Sequence, residues 1–223
     1  MTEGKTSIRV GVYIDNSNVY RHLRDLTKIN STWPKLYNPY VLGERLSGGR
    51  ALEFINFYCA PPPSHLQVNG PSGARKYSTQ MAYYEAVSKL PKVELKYATL
   101  AGTGDSLREK NLDTQLTADM IRAAIEGRYD TCILVSNDGD YQSAVEMVKD
   151  LGKGVELLYF KGSVSMALRR VSDVMRRARP SYFAKLDFPY SSGLDFPGVG
   201  YEMKRPSLNL LVRRRLTPTV VTC

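Results

Sequence analysis

Cysteine and histidine are scarce in this 223-residue sequence. The three cysteines, Cys59, Cys132 and Cys223, are odd in number and lack metal-ligand spacing. Two of them, Cys59 and Cys132, fall in apolar runs, where a free buried thiol is the ordinary outcome. The two histidines, His22 and His65, have no partner at ligand spacing, which argues against a histidine-based zinc site. No window approaches the roughly 18 apolar residues of a membrane span. The opening "MTEGKTSIRV" has no apolar signal core, so the expectation is a soluble, cytoplasmic protein with no membrane partner. No "GxGxxG" follows the first strand-like run, which disfavours dinucleotide binding. What the chain does have is 43% hydrophobic residues, enough for one sizeable core.

Its charge of +9 is unevenly spread. Residues 1–160 carry 19 basic and 18 acidic side chains, and residues 161–223 carry 12 and 4. A basic C-terminal third suits a polyanionic partner such as nucleic acid, and it also serves solubility.

Strand-like and helix-like runs alternate through residue 180. Apolar, β-branched runs predict strands at 8–15, 51–60, 93–100, 130–137 and 155–160. Helical spacing predicts helices at 16–26, 38–46, 74–89, 113–126, 141–150 and 164–178. This alternation implies an α/β class with a central, mainly parallel five-stranded sheet flanked by helices in three layers. The domain is expected over 1–180, with 181–223 a basic extension, docked or partly disordered.

Aspartates recur where these strands end. Asp15 closes the first, Asp138 and Asp140 follow the fourth in "SNDGDY", and Asp113 opens the helix after the third. Sites in open α/β sheets form beyond the C-terminal strand ends, where the strand order reverses. If strands one and four are neighbours there, the four carboxylates converge. With no histidine or cysteine beside them they suit Mg²⁺ or Mn²⁺. Such an ion, or a pair of ions, orients a phosphodiester, stabilises charge on its oxygens and activates water. Capping competes with this reading, because Asp is a favoured helix N-cap and Asp15, Asp113 and Asp138 each lie near a helix start. Capping alone does not require both Asp138 and Asp140. Gly139 is expected to give the backbone the freedom to turn Asp140 back towards Asp138.

Four stretches in order, "VYIDNSNVY" (12–20), "FYCAPP" (57–62), "REKNLDTQLTADMI" (108–121) and "DTCILVSNDGDYQSAVEMVKDLGKGVELLYF" (130–160), carry a resemblance. They resemble the NYN domain of the LabA-like (DUF88) type, a branch of the PIN-like nuclease superfamily. "LRRVSDVMRRA" (168–178) is similar to the family's final helix. The resemblance implies a PIN-like fold, an acidic pocket for Mg²⁺ or Mn²⁺, and RNA as the commonest substrate. It assigns Asp15, Asp113, Asp138 and Asp140 as metal ligands and catalytic residues, with Asn18 accompanying the first aspartate. Lys110 matches a basic residue able to contact phosphate, and Ser136 one able to hold a carboxylate or water. Asp119 matches a recurrent acid, but six residues after Asp113 it faces about 120° away on a helix. It therefore supports the site from behind or partners another element. Asn137 and Tyr141 stand where Gly and Phe are common in the family.

Further nucleic-acid contacts are sought among Arg75 and Lys76, at a predicted helix start, and Arg169, Arg170, Arg176, Arg177 and Arg179. The run Arg213, Arg214 and Arg215 is the sharpest basic cluster. Tyr20, Tyr77 and Tyr83 are candidate base-stacking residues, with core-edge packing as the alternative, and Trp33 reads as a loop anchor. The leading expectation is a divalent-metal-dependent ribonuclease, an endoribonuclease by resemblance, and the same resemblance implies a homodimer, because PIN-like domains often pair. The alternative is a non-catalytic RNA-binding or protein-interaction module that keeps the acidic pocket. Aspartyl phosphoryl transfer is disfavoured because "IDNSN" offers one acid at the first strand where that chemistry wants two.

Overall fold

Residues 9–15 form an apolar strand whose side chains from Val10 to Ile14 are wholly buried on both faces. Burial on both faces requires helices above and below, and the chain supplies them. The structure, a computed structural model, describes residues 7–101, 108–162 and 165–186. In chain order the main elements are β1 (Arg9–Asp15), α1 (Asn16–Ile29), α2 (Pro39–Ser47), β2 (Ala51–Cys59), α3 (Gly70–Ser88) and β3 (Val93–Tyr97). There follow a short antiparallel pair, β4 (Thr99–Ala101) and β5 (Arg108–Lys110), then α4 (Leu112–Ile125) and β6 (Thr131–Val135). The last are α5 (Gln142–Asp150), β7 (Gly154–Tyr159), α6 (Met166–Val171) and β8 (Val174–Arg177). Short 3₁₀ turns lie at Ser64–Gln67, Gly139–Tyr141 and Pro180–Tyr182.

The main sheet runs β3-β2-β1-β6-β7-β8, and every pairing in it is parallel. The chain builds outward from β1 to β3, returns, and builds outward again from β6 to β8. Strand order therefore reverses between β1 and β6, which pair from Val10↔Thr131 to Ile14↔Val135. One face of the sheet packs Val12, Ile14 and Ile55 against Val19 and Leu23 of α1, Leu42 of α2 and Val87 of α3. The other packs Tyr13, Tyr58 and Leu134 against Leu116 and Met120 of α4, Val145 of α5 and Leu168 of α6. Alternate residues of each strand thus serve opposite cores, the period-two pattern of a pleated sheet. Gly11 is forced by this packing, since a Cβ there would lie 2.6 Å from the Phe54 ring.

The sheet has six strands, not five. The expected helix over 164–178 stops at Val171, and Val164 lies outside the described residues. The break is made by Asp173. Its carboxylate accepts the Val155 N–H at 2.8 Å, its own N–H donates to the Val155 carbonyl at 2.9 Å, and Lys149 pairs with it at 2.7 Å. These bonds dock the chain on β7, and Val174–Arg177 continues as an edge strand from Glu156↔Val174. The expected strand over 93–100 also divides, with β3 ending at Tyr97 and Thr99–Ala101 pairing with Arg108–Lys110 instead.

Arg176 is consequently not part of a helical basic stripe. It sits beside β7 and shares the buried Glu156 carboxylate with Arg50, at 2.8 and 2.6 Å. After β8, Phe183 and Leu186 are buried in the first core, and Phe183 meets Tyr37 edge-on at 5.3 Å. Trp33 packs against Phe160 and Phe183. No helix among the described residues is long and apolar enough to cross a membrane.

Candidate functional site

The reversal between β1 and β6 leaves a cleft at their C-terminal ends of about 220 Å³, lined in part by Asp15, Asn18, Arg21, Asn111, Asp113 and Asp138. Three of the four expected carboxylates therefore face one cavity. Asp15 comes from the last position of β1, Asp113 from the first turn of α4, and Asp138 from the loop after β6.

Asp15 is buried and firmly held. Its Oδ1 accepts the Asn18 N–H at 3.0 Å, capping α1, while Oδ2 accepts the Ser136 hydroxyl at 3.0 Å. Ser136 Oγ in turn accepts the Asp138 N–H at 3.1 Å, so one hydroxyl ties two aspartate segments together. Asp138 Oδ1 accepts the Asp140 N–H at 3.2 Å and caps the 3₁₀ turn. Capping and site formation are thus compatible: each cap uses one carboxylate oxygen of two. Among the described residues Asp113 accepts no capping bond. It stands in the first turn of α4, where the helix dipole favours negative charge. Asn111, just before it, is left-handed (φ 66), a conformation asparagine tolerates better than most residues.

Tyr141 completes the constellation. Its hydroxyl donates to Asp113 Oδ1 at 2.7 Å and stands 3.3 Å from Asp15 Oδ2. A hydroxyl has one proton, so it serves one of these carboxylates well at a time. Burial first, then the charge of Asp15, the bond to Asp113, and the charges of Asp113 and Asp138, push the phenol far above its ordinary range. Tyr141 therefore remains a protonated donor. Replacing it with Phe keeps the ring's packing and removes the donor. The expected loss is about 1 kcal/mol of unfolding free energy in metal-free buffer, read by urea denaturation.

Asn137 is the other residue that departs from the resemblance. Its amide accepts from Phe160 N–H at 2.7 Å and donates to the Phe160 carbonyl at 2.8 Å, imitating one more rung between β6 and β7. Its own N–H donates to Asn18 Oδ1 at 3.2 Å, which ties α1 to the loop that carries Asp138.

The remaining expected residues fall elsewhere. Asp140 is exposed and does not line the cleft. Gly139 does not have a positive φ. A Cβ there would lie 2.6 Å from Ser165 Oγ, so close approach to Ser165, rather than backbone freedom, favours glycine. Asp119 lies outside the cleft lining, bound by Lys96 at 2.9 Å and the Tyr58 hydroxyl at 2.8 Å. Arg75 and Lys76 are exposed on α3, Arg169 and Arg170 on α6, and none of them lines the cleft. The Lys110 side chain and Arg213, Arg214 and Arg215 lie outside the described residues. Arg21, not expected at the site, lines this cleft and a compartment beside it, and His22, expected only as a histidine without a ligand partner, lines the latter. They sit three and four residues after Asn18, a helical spacing that puts all three on one face of α1.

Among the described residues no three carboxylate, thiolate or imidazole groups close into a metal-holding cluster. The donor chemistry nonetheless fits a hard cation. It consists of oxygens, and neither Asp113 nor Asp138 takes part in an ion pair among the described residues. Mg²⁺ commonly keeps several waters and takes only one or two carboxylates directly, so an open set is compatible with it.

Among known proteins, the NYN domain family model matches residues 9–177. The fold is similar to the crystal structure of a protein of unknown function from Vibrio parahaemolyticus, with a TM-score of 0.58 and 17% identity, covering 82% of this chain and 100% of that one. At that identity the likeness concerns the fold alone. No curated protein matches the chain.

Proposed function

This chain belongs to the NYN domain family, a family of nuclease type, and we propose on that premise that it is a divalent-metal-dependent ribonuclease of the LabA-like branch. The observation that carries the reading is the arrival of Asp15, Asp113 and Asp138 from three separate elements at one cleft.

In this reading Asp15, Asp113 and Asp138 hold Mg²⁺ or Mn²⁺, and exposed Asp140 adds negative charge beside Asp138. Bound there, the ion supplies Lewis-acid stabilisation of phosphate oxygens and lowers the pKa of water. The chain's own residues do the rest. Ser136 and the Asn18 N–H fix the Asp15 carboxylate, and Tyr141 holds Asp113 at a set distance from it. Positioning of this kind is a large part of catalysis, because misplaced groups lose orders of magnitude in rate. Arg21, exposed on the cleft wall, offers a cation to the substrate backbone.

Two measurements test the reading together. Single-stranded RNA should be cut in Mn²⁺ or Mg²⁺ and left intact in EDTA. Mn²⁺ at about 100 times its Kd should stabilise the wild type by about 2.7 kcal/mol, and this gain should vanish in Asp138→Asn. Equal cleavage by wild type and Asp138→Asn would point to a contaminating nuclease and remove the proposal's support. RNA binding without cleavage would favour the non-catalytic module instead, a reading that the open carboxylate set keeps alive.

A further inference from the structure

The carboxylate cleft does not end at Asp138. A second compartment of about 360 Å³ adjoins it and shares Asn18, Arg21 and Asp138 as a common wall. Beyond that wall it is lined by His22, Asn137, Gly139 and Ser165, so among the described residues Asp138 is its one acidic lining residue. The two compartments differ in chemistry: one gathers three carboxylates, and the other, beyond the shared Arg21 and Asp138, is polar with an aromatic side.

The aromatic side is built. The His22 ring stacks on Phe160 with centroids 4.8 Å apart and planes 15° from parallel. Phe160 is itself buried and held by Asn137 through both of its backbone groups. The imidazole is therefore a flat, half-buried surface braced from behind. At the opposite side a Cβ on Gly139 would lie 2.6 Å from Ser165 Oγ, so only glycine fits there without displacing that hydroxyl. Between the compartments stands Arg21, exposed and in no ion pair among the described residues. The volume is at the low end of small-ligand sites, roughly 300–1,000 Å³, and matches one nucleotide rather than a duplex.

We propose that this compartment seats the nucleoside adjoining the scissile phosphate of a single-stranded RNA, with its base against His22 and a backbone phosphate on Arg21. The inference rests on the nuclease reading for the position of the scissile phosphate. Its specificity is for an unpaired nucleotide, because a base can lie against His22 only when it has left its helix. Burial, and secondarily the charge of Arg21, hold the imidazole below its usual range, so the ring is uncharged at neutral pH. Stacking and charge are thus divided between two residues, and stacking tolerates any base.

That division gives the experiment. A short fluorescein-labelled single-stranded RNA is titrated with the full chain carrying Asp113→Asn, which keeps the probe uncut, and anisotropy is read at several salt concentrations. Adding Arg21→Ala should weaken binding about tenfold and lower the salt slope by about one. Adding His22→Ala should weaken it about tenfold with the slope unchanged, whereas His22→Phe should retain affinity. A duplex RNA probe should be indifferent to His22→Ala. Unchanged affinity in both alanine variants overturns the proposal. If these effects appear but the wild type cuts no RNA in Mn²⁺, the nuclease reading fails and the compartment stands as a single-strand binding site. If the chain binds no RNA at all, both fall.

Discussion

Asp15→Asn should abolish metal-dependent RNA cleavage, by on the order of a thousandfold or more, while leaving the fold almost as stable as before. The two halves of this expectation come from the two oxygens of one side chain. Oδ1 caps α1 by accepting the Asn18 N–H, and asparagine is as good an N-cap as aspartate. Oδ2 meets Ser136 and Tyr141, hydroxyls that can accept from an amide NH₂ as readily as they donate to a carboxylate. The substitution also removes one negative charge from a cleft that holds three. Unfolding free energy should therefore stay within about 1 kcal/mol of wild type by urea denaturation. If Asp15 were only a cap, Asp15→Asn would cut RNA at the wild-type rate, and that outcome would sink the site assignment. Asp15→Ala would not make the distinction, because it loses the cap and the ligand together.

The second large effect is on stability. Glu156 is 7% exposed on β7 and accepts from both terminal nitrogens of Arg50 and from Nη2 of Arg176. The two guanidinium side chains are themselves only 20% and 29% exposed. Glu156→Ala strands both charges in poorly solvated surroundings, at an expected cost of about 3 kcal/mol. For a domain of this size that lowers the Tm by roughly 10 °C. Arg50 keeps its bonds to the Leu46 and Ser47 carbonyls, but Arg176 loses the carboxylate that tethers the edge strand. The exposed pair Lys28–Asp25 is the internal contrast, and Asp25→Asn should leave the Tm essentially unchanged. A loss below about 1 kcal/mol in Glu156→Ala would mean that water reaches both guanidiniums and the triad contributes little.

Much of the sheet was legible because its signals are local. Buried strands announce themselves as apolar, β-branched runs, and Asp15 and Asp138 end two such runs directly. β8 was illegible for the opposite reason: what stops α6 is the bond between Asp173 and Val155, two residues that meet only after folding. Met175 suits a helix spaced from Leu168 and Val171 as well as it suits an edge strand, so periodicity could not decide. Arg176 looked like a surface cation because its partner Glu156 is on another strand. Arg21 and His22 escaped for a related reason. Each reads as part of a solvated helix face, and the neighbours that turn that face into a cavity wall, Asp138 and Ser165, are more than 100 positions away. Conversely, Tyr141 and Asn137, which look like mere deviations from a motif, prove to hold Asp113 and the end of β7, Tyr141 by donating and Asn137 by both accepting and donating.

The bond from Ser136 to Asp15 closes a loop of 121 residues. A contact so distant in sequence carries a consequence for biosynthesis. Translation delivers the N-terminal half first, and β1, β2 and β3 can associate before β6 exists. Throughout that interval Asp15 lacks Ser136, Asp138 and Tyr141, and there is no cleft. Loop closure over such separations is slow relative to local helix formation. In a nascent chain of this topology the three carboxylates therefore stay apart until β6 and the loop that carries Asp138 have both been made.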